Sequence, residues 1–167
     1  MRLKLLQQTS PTDLSLAKSY FLNSSEGWIV GNNGNILHTT NSGQTWQKQT
    51  SGTSKDLWGV AFSDATTGWV VGNEGILLHT ENGGASWVER DSGTLKKLLD
   101  IVFVSTTHGW AVGMEGTIIH TNDGGASWLL QFTETGAELS AVQFINLSDG
   151  IVVGNGGTVL KTVNGGF

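Results

Sequence analysis

The amino-acid sequence repeats at a spacing of 41 residues from one end to the other. Aligned with itself at this spacing, the chain gives four copies without a gap, each with glycines and aromatic residues at matching places. The matching positions include Gly27, Gly68, Gly109 and Gly150; Trp28, Trp69, Trp110 and Ile151; and Phe21, Phe62, Phe103 and Phe144. A period of about 20–50 residues is typical of repeat folds, in which each unit buries its apolar side against the next.

One copy of the repeat contains four short strand patterns. In the second copy these are Leu57–Phe62, Gly68–Gly72, Ile76–Thr80 and Trp87–Arg90, separated by polar turns. The third strand is apolar at consecutive positions, which indicates that neighbouring units cover both of its faces. Four antiparallel strands in about 40–45 residues predict an all-β fold, a β-propeller of four-stranded blades. The expected blades are residues 10–50, 51–91, 92–132 and 133–167.

The composition excludes several classes of partner and chemistry. A net charge of -5 argues against a nucleic-acid partner and against adhesion to an anionic membrane, both of which favour basic proteins. No apolar run of 18 residues is present, so we expect no membrane insertion. Without cysteine the chain has no disulfide, no thiolate metal site and no thiol nucleophile, and we expect no cofactor.

A short motif follows the third strand of every copy. The segment from Thr121 to Trp128 resembles the Asp-box, whose pattern is Ser/Thr-x-Asp-x-Gly-x-x-Trp, and the other copies carry Asn in place of the Asp. The Asp-box positions are Thr39, Asn41, Gly43 and Trp46; Thr80, Asn82, Gly84 and Trp87; Thr121, Asp123, Gly125 and Trp128; and Thr162, Asn164 and Gly166. We interpret these residues as structural, because the Asp or Asn side chain binds N–H groups of its own turn and the Trp packs between strands.

Together with the Gly-Trp-x-Val-Gly strand, these motifs make the whole chain resemble the propeller family of the photosystem II stability and assembly factors. The resemblance implies a protein client and an arginine-rich client patch, for which this chain has Arg2 and Arg90. It also implies an extracytoplasmic compartment: the periplasm, the thylakoid lumen or the cell exterior. The first residues lack the apolar stretch of a signal peptide, so either the protein is not exported or the sequence begins after processing. The residues themselves leave the compartment open.

Two patterns raise the question of a metal site or an enzyme. His38, His79 and His120 occupy one repeat position, but equivalent positions of different blades lie too far apart to share an ion, so we expect no metal site. Asp-boxes also occur in sialidases, yet two arginines cannot form an arginine triad. No pair of carboxylates stands out as the acid and base of a glycosidase. We therefore predict no catalytic residues and no enzymatic activity.

The turns between the second and third strands differ from copy to copy, whereas the flanking strands do not. All of them are expected on one face of the propeller, and variable loops on a rigid frame commonly bind partners. The candidate partner-binding residues are Asn32, Asn33, Asn73, Glu74, Met114, Glu115 and Asn155. We expect Glu74 and Glu115 to give this face an acidic, polar character. The alternative is that these turns are ordinary hairpin tips.

The leading functional hypothesis is a non-enzymatic scaffold for protein interaction and assembly. The alternative is a carbohydrate-binding or glycoside-processing module, which needs exposed aromatic platforms. Six of the seven tryptophans occupy repeat positions that we expect to be packed, and Trp58 belongs to an apolar first strand. This distribution favours a protein partner over a sugar.

The fourth copy stops at Phe167, before its fourth strand, and a segment near the other end matches that strand. Residues 5–9 align with the fourth strands, and Gln8 and Thr9 match Gln49 and Thr50. Because open sheet edges are normally covered, we predict that residues 4–9 complete the fourth blade. Three arrangements remain: a closed four-blade ring, a homodimer with eight blades, or a fragment of a larger propeller. We favour the homodimer, because Asp-box propellers generally have more than four blades.

Overall fold

The computed structural model describes residues 7–166, which form fifteen strands in four antiparallel sheets. Each sheet corresponds to one copy of the repeat, and the sheets are called blades 1 to 4. Blade 1 contains β1 (Leu16–Phe21), β2 (Gly27–Gly31), β3 (Asn35–Thr39) and β4 (Gln47–Thr50). Blade 2 contains β5 (Leu57–Phe62), β6 (Gly68–Gly72), β7 (Leu77–Thr80) and β8 (Val88–Glu89). Blade 3 contains β9 (Leu98–Phe103), β10 (Gly109–Gly113), β11 (Ile118–Thr121) and β12 (Leu129–Gln131). Blade 4 contains β13 (Leu139–Phe144), β14 (Asp149–Gly154) and β15 (Val159–Val163).

This architecture confirms the predicted fold class of propeller blades. Within each blade the strands pair in sequence order. The predicted first and second strands of blade 2 have the observed bounds, whereas the third begins at Leu77 rather than Ile76. Ile76 instead closes a single turn of 3-10 helix at Asn73–Gly75, because its N–H bonds to the carbonyl of Asn73 at 3.1 Å. All four residues of β7 are buried, as the consecutive apolar pattern predicted.

The blades are held together by one aromatic contact that recurs at every junction. A tryptophan in the second strand of one blade stacks on a phenylalanine in the first strand of the next. The pairs are Trp28–Phe62, Trp69–Phe103 and Trp110–Phe144, with ring centroids 3.6, 6.0 and 3.7 Å apart. All three tryptophans are at most 1% exposed. Such stacked pairs contribute about 0.5–1.5 kcal/mol beyond the burial of their area.

A repeated glycine allows this contact to form. Gly68 pairs with Phe62 across the β5–β6 ladder, and a Cβ atom on Gly68 would lie 2.4 Å from the phenyl ring. Gly150 stands in the same relation to Phe144, at 2.5 Å. The bare glycine lets the phenylalanine ring lie flat on its own sheet. The other face of the ring is then free to receive the tryptophan of the preceding blade.

Blade 4 has three strands in the part of the chain that the structure describes. Residues 7–9, which belong to the predicted fourth strand, are exposed and lie in no strand, and residues 4–6 fall outside the described range. The completion of blade 4 by residues 4–9 therefore remains a prediction. Across residues 7–166, no helix is long and apolar enough to cross a membrane.

Replacement of Trp69 by Ala is expected to lower the free energy of unfolding by about 3–5 kcal/mol, because it removes a buried ring from a blade junction. Urea denaturation measures this change. Phe132→Ala is the matched control, since Phe132 is fully exposed and should change stability by less than about 0.5 kcal/mol. Equal losses in the two variants would contradict the assignment of Trp69 to the junction.

Candidate functional site

The side chains of each Asp-box form hydrogen bonds within their own turn. In blade 1 the side-chain Oδ1 of Asn41 accepts the N–H of Thr45 at 2.9 Å and the hydroxyl of Thr39 at 3.0 Å. The Thr39 hydroxyl oxygen in turn accepts the N–H of Gly43 at 3.0 Å. The same set of bonds recurs around Asn82 in blade 2. These side chains thus make their hydrogen bonds within their own turn.

Asp and Asn both make this turn, because the hydrogen bond between the box side chain and the hydroxyl four residues further on can run in either direction. The Asn41 amide donates to the Thr45 hydroxyl at 2.9 Å, whereas the Ser127 hydroxyl donates to the Asp123 carboxylate at 2.6 Å. This hydroxyl, the Ser127 N–H and the Thr121 hydroxyl lower the pKa of Asp123 to about 2. The repeat therefore keeps its turn although one copy alone carries a true Asp.

The repeated histidines lie beside the junction tryptophans. His38, His79 and His120 are paired across the strands with Trp28, Trp69 and Trp110, and the ring centroids are 4.6, 3.9 and 5.1 Å apart. Burial lowers the pKa of both His79 and His120, so both are neutral near pH 7. Within residues 7–166, no three His, Asp or Glu side chains converge as a metal-binding cluster.

The variable turns are fixed to one face of the blades by a repeated backbone bond. The first residue of each turn donates its N–H to the carbonyl that immediately precedes the first strand of its blade. The bonds run from Asn32 to Ser15, from Asn73 to Asp56, from Met114 to Lys97 and from Asn155 to Glu138, each 2.9 Å long. We call this surface, made of turns 32–34, 73–75, 114–116 and 155–157 and the connections beside them, the turn face.

Trp58 lies on the turn face because of a β-bulge. The register of β5 against β6 shifts between Leu57 and Gly59, which leaves Trp58 without a partner in the ladder, and bulges commonly redirect a side chain. The half-buried indole donates its N–H to the Asn73 side chain at 2.8 Å, and the ammonium of Lys97 lies 3.9 Å from the ring centroid. The sequence analysis missed this position.

A signal for Trp58 was present in the alignment of the copies. The same bulge position holds Ala17, Leu99 and Ser140 in the other blades, so the tryptophan is unique to blade 2. Position alone could not show that a bulge would turn the indole out of the apolar strand. The structure therefore brings Asn73, one of the predicted loop residues, into contact with a residue outside that prediction.

Two glutamates of the turn face form ion pairs. Glu74 pairs with Lys55 at 3.6 Å, and Glu115 pairs with Lys96, the equivalent residue of the next repeat. The connections beside the turns also carry further carboxylates, at Asp13, Asp56, Asp91, Glu134 and Glu138, so the acidic character of the face stays a prediction. The polar character of the face is retained.

Both glutamates also have an unusual backbone. The φ angles of Asn33, Glu74 and Glu115 are 54°, 55° and 56°, in the left-handed region. Asn adopts this conformation readily and Glu does not. Residues held this way against their preference often mark sites under functional constraint.

The inner strands line a second feature, a cavity of about 410 Å³ with walls from all four blades. Asp100 contributes the one carboxylate to its lining and is 5% exposed. Its side chain accepts the N–H of Val142 at 3.1 Å and pairs with the ammonium of Lys18 at 3.0 Å. Asp100 thus ties blades 1, 3 and 4 together near the centre of the molecule.

The sheets and the Asp-box turns define an Asp-box β-propeller. The family model for the Photosynthesis system II assembly factor YCF48 matches residues 3–94 and 88–167, and the chain belongs to this family. A search of curated proteins gave no match.

Solved structures share the fold at low sequence identity. YCF48 bound to D1 peptide is 24% identical with a TM-score of 0.71, covering 93% of this chain and 55% of that one. YCF48 from Cyanidioschyzon merolae is 23% identical with a TM-score of 0.76, covering 89% and 50%. An ancestral GH74 enzyme is 18% identical with a TM-score of 0.75, covering 90% and 23%. The chain spans about half the length of the two YCF48 structures.

Replacement of Asp123 by Asn should leave stability at pH 7 within about 0.5 kcal/mol, because Asn makes the same turn in the other blades. The lowered pKa of Asp123 means that its contribution is present above about pH 4 and is lost as the pH falls towards 2. Asp123→Asn should therefore weaken the loss of stability between pH 4 and 2, measured by urea unfolding at each pH. An unchanged acid dependence would contradict this account of the turn.

Replacement of Glu115 by Asn should raise the unfolding free energy by up to about 1 kcal/mol, because it relieves a left-handed Glu. The lost ion pair with Lys96 is exposed and opposes this gain only weakly. Thermal unfolding measures the change. Glu134→Asn, on an exposed residue outside these turns, is the control. A lower melting temperature for Glu115→Asn would show that the ion pair outweighs the backbone.

Proposed function

We propose that this chain is a non-enzymatic interaction module that holds a segment of a client protein on its turn face during the assembly of a larger complex. The observation that carries the proposal is the half-buried Trp58 among charged residues of that face. Tryptophan is the residue type most enriched among positions that dominate binding energy in protein interfaces.

The surroundings of Trp58 fit such an anchor. Asn73 and Lys97 fix the indole from two sides, so little side-chain freedom remains to be lost when a partner binds. Asn73 is held in turn by Asp56, to which its amide donates at 3.3 Å. The carboxylates of Glu74 and Glu115 are exposed, at 74% and 62% of their side-chain surface. An apolar anchor with a polar rim is the usual organisation of a protein interface.

The charges of the turn face suit a client of mixed character. Its positive groups are the lysines 55, 96 and 97, and two of these are neutralised by glutamates. Among residues 7–166 the turn face carries no cluster of arginines such as the family resemblance implies. Arg90 instead lines a cleft with His79 and Glu81 near the Asp-box turn of blade 3. We therefore expect contacts with apolar and polar side chains to matter more than attraction to an acidic segment.

Several observations support the non-enzymatic part of the proposal. The single carboxylate of the central cavity is already engaged by a lysine and a backbone N–H, whereas a glycosidase needs two carboxylates roughly 5–10 Å apart. Asp123, the one carboxylate at the Asp position of the four boxes, is bound within its own turn and has its pKa lowered rather than raised. A general acid needs the opposite shift.

The family membership extends the proposal to the class of client and to the cellular compartment. Because a related YCF48 structure contains a bound D1 peptide, a polypeptide segment is the client class that we propose here. We also propose an extracytoplasmic location, in keeping with the family resemblance. The module would act within a ring of more than four blades, as a homo-oligomer or as part of a larger propeller.

The test is a comparison of client binding by two variants. A fluorescently labelled D1 peptide is titrated with the chain, and binding is followed by anisotropy. Trp58→Ala should weaken binding about 30-fold, the effect of losing roughly 2 kcal/mol at an aromatic anchor. Ile145→Ala removes an exposed apolar side chain from the loop between β13 and β14, at the strand ends opposite the turn face, and should bind as the unchanged chain does.

Circular dichroism of both variants shows that the fold is retained. Equal binding by Trp58→Ala and the unchanged chain would contradict the assigned site. If the D1 peptide does not bind at all, the D1 client is rejected, and the same pair of variants is compared in retaining proteins from the native source.

A second candidate function is carbohydrate binding, which a half-buried tryptophan at the surface and the shared fold of the GH74 enzyme favour. The position of Lys97 over the indole opposes it, because a sugar ring stacks on the same surface. Glycan-array binding that is lost in Trp58→Ala, without peptide binding, would favour this second function. Hydrolysis of an aryl-glycoside panel would overturn the non-enzymatic proposal.

A further inference from the structure

We propose that a cleft between blades 2 and 3 binds a primary carboxamide, the group at the end of a glutamine or asparagine side chain. The cleft has a volume of about 300 Å³ and lies beside the Asp-box turn of blade 3. Asp-box turns join the third and fourth strands of a blade, so they lie at the strand ends opposite the turn face. The site is therefore separate from the client site at Trp58 and goes beyond the proposed function.

At the junctions on either side, a glutamine of the fourth strand reaches the Asp-box turn of the next blade. The Gln49 amide donates to the carbonyl of Gly83 at 3.0 Å, and its oxygen accepts the indole N–H of Trp87 at 3.3 Å. The Gln131 amide donates in the same way to the carbonyl of Gly165 at 3.2 Å. A carboxamide can make both bonds because it has an N–H donor and an oxygen acceptor.

The junction between blades 2 and 3 has Arg90 at this repeat position. A guanidinium has N–H donors and no acceptor, so it cannot replace the oxygen of the glutamine. The indole N–H of Trp128, the counterpart of Trp87, is buried and has no hydrogen-bond partner within residues 7–166. Arg90 itself is exposed and forms no ion pair with another described residue. This junction thus lacks the amide that the two others contain.

The aromatic contact of this junction is also displaced. The ring centroids of Trp69 and Phe103 are 6.0 Å apart, against 3.6 and 3.7 Å for the pairs at the other junctions. A Cβ atom on Gly125 would lie 2.2 Å from the Trp69 ring. On Gly84, the counterpart of Gly125, a Cβ atom would instead lie 2.1 Å from the Gln49 oxygen. The Trp69 ring therefore occupies part of the position of the missing amide, and we expect it to move back over Phe103 when a carboxamide binds.

The charges of the cleft favour a neutral ligand over an anion. One cation, Arg90, and two carboxylates, Glu81 and Asp123, line it. The Asp123 oxygens already accept hydrogen bonds from Thr121 and Ser127 within their own turn. A carboxylate ligand would be attracted by Arg90 but repelled by both acidic groups. A carboxamide has the same shape and no charge, so it avoids this repulsion.

His79 adds a buried polar atom to the wall of the cleft. The neutral side chain is 7% exposed, and its Nε2 has no hydrogen-bond partner among the described residues. In blade 1 the same nitrogen of His38 pairs with Glu26 at 3.3 Å, whereas blade 2 has Thr67 at the position of Glu26. A buried polar atom without a partner costs stability, so a ligand that supplies the partner gains affinity.

A bound carboxamide would repeat the contacts that Gln49 makes at the first junction. Its oxygen would accept hydrogen bonds from the indole of Trp128 and from the guanidinium of Arg90. Its NH2 group would donate to the carbonyl of Gly124, which lines the cleft at the repeat position of Gly83. A carboxylate could form the first two bonds but has no N–H for the third.

The test is a titration with two probes of the same shape, N-acetyl-glutamine methylamide and N-acetyl-glutamate methylamide. Binding is followed by NMR of the indole N–H groups, and Trp128→Phe assigns the Trp128 signal. We expect the glutamine probe to shift this signal, because the N–H gains an acceptor, and the glutamate probe to bind about tenfold more weakly. Equal or tighter binding of the glutamate probe would overturn the choice of a carboxamide. No shift with either probe would overturn the site.

Arg90→Gln is the matched variant, because it introduces the residue that the neighbouring blades have at this position. The new amide should shift the Trp128 signal before any probe is added, weaken the response to the probe at least about tenfold, and leave the melting temperature unchanged or higher. Lys48→Gln removes an exposed lysine from the fourth strand of blade 1 and should respond as the unchanged chain does. An undiminished response in Arg90→Gln would overturn the proposal.

Free glutamine is a third probe that distinguishes the sources of the carboxamide. A response equal to that of the capped residue supports a small-molecule ligand, and a response to the capped residue alone supports the side chain of a polypeptide. Trp58→Ala should leave every response unchanged, because Trp58 lies on the turn face. Failure of this site and failure of the proposed client site are therefore separate results.

Discussion

The contact on which the structure depends is the stacking of a tryptophan in one blade on a phenylalanine in the next. It is made from residues 34 positions apart, Trp28 and Phe62 at the first junction, and it is copied at the spacing of the repeat. Each blade is too small to bury its own apolar faces, so its stability comes from its neighbours.

The turn face also depends on these repeated junctions. Because the blade junctions are fixed by a few repeated residues, the turns between the second and third strands are free to differ, and their backbone bonds to the neighbouring connections keep them in place. A rigid frame with variable turns can present a single tryptophan without disturbing the core. Trp58 shows how this happens, since a bulge present in every blade carries a small or aliphatic side chain in three copies and an indole in the fourth.

The repeat predicted the fold class because period, strand pattern and turn residues all agreed. Most of β5 and β6 could be read directly from their apolar and glycine positions. The site was less predictable. The bulge at Trp58 depends on the register of β5 against β6, which the sequence does not state directly. The ion pair between Glu74 and Lys55 joins residues 19 positions apart in two different connections. Asn can replace Asp in three of the Asp-boxes because the hydroxyl beside it accepts a hydrogen bond from Asn and donates one to Asp. The hydrogen bonds of Asn41 and Asp123 show this, and the sequence alone does not.

Amide hydrogen exchange tests most directly whether the blades are stabilised by their neighbours. Exchange rates report the local free energy of opening along the chain. Blades 2 and 3 have a junction on both sides, so the amides of β6 and β10 should exchange slowest, while those of β1 and β15 should exchange faster. Uniform protection across the four blades would show that each blade is stable without the tryptophan–phenylalanine junctions.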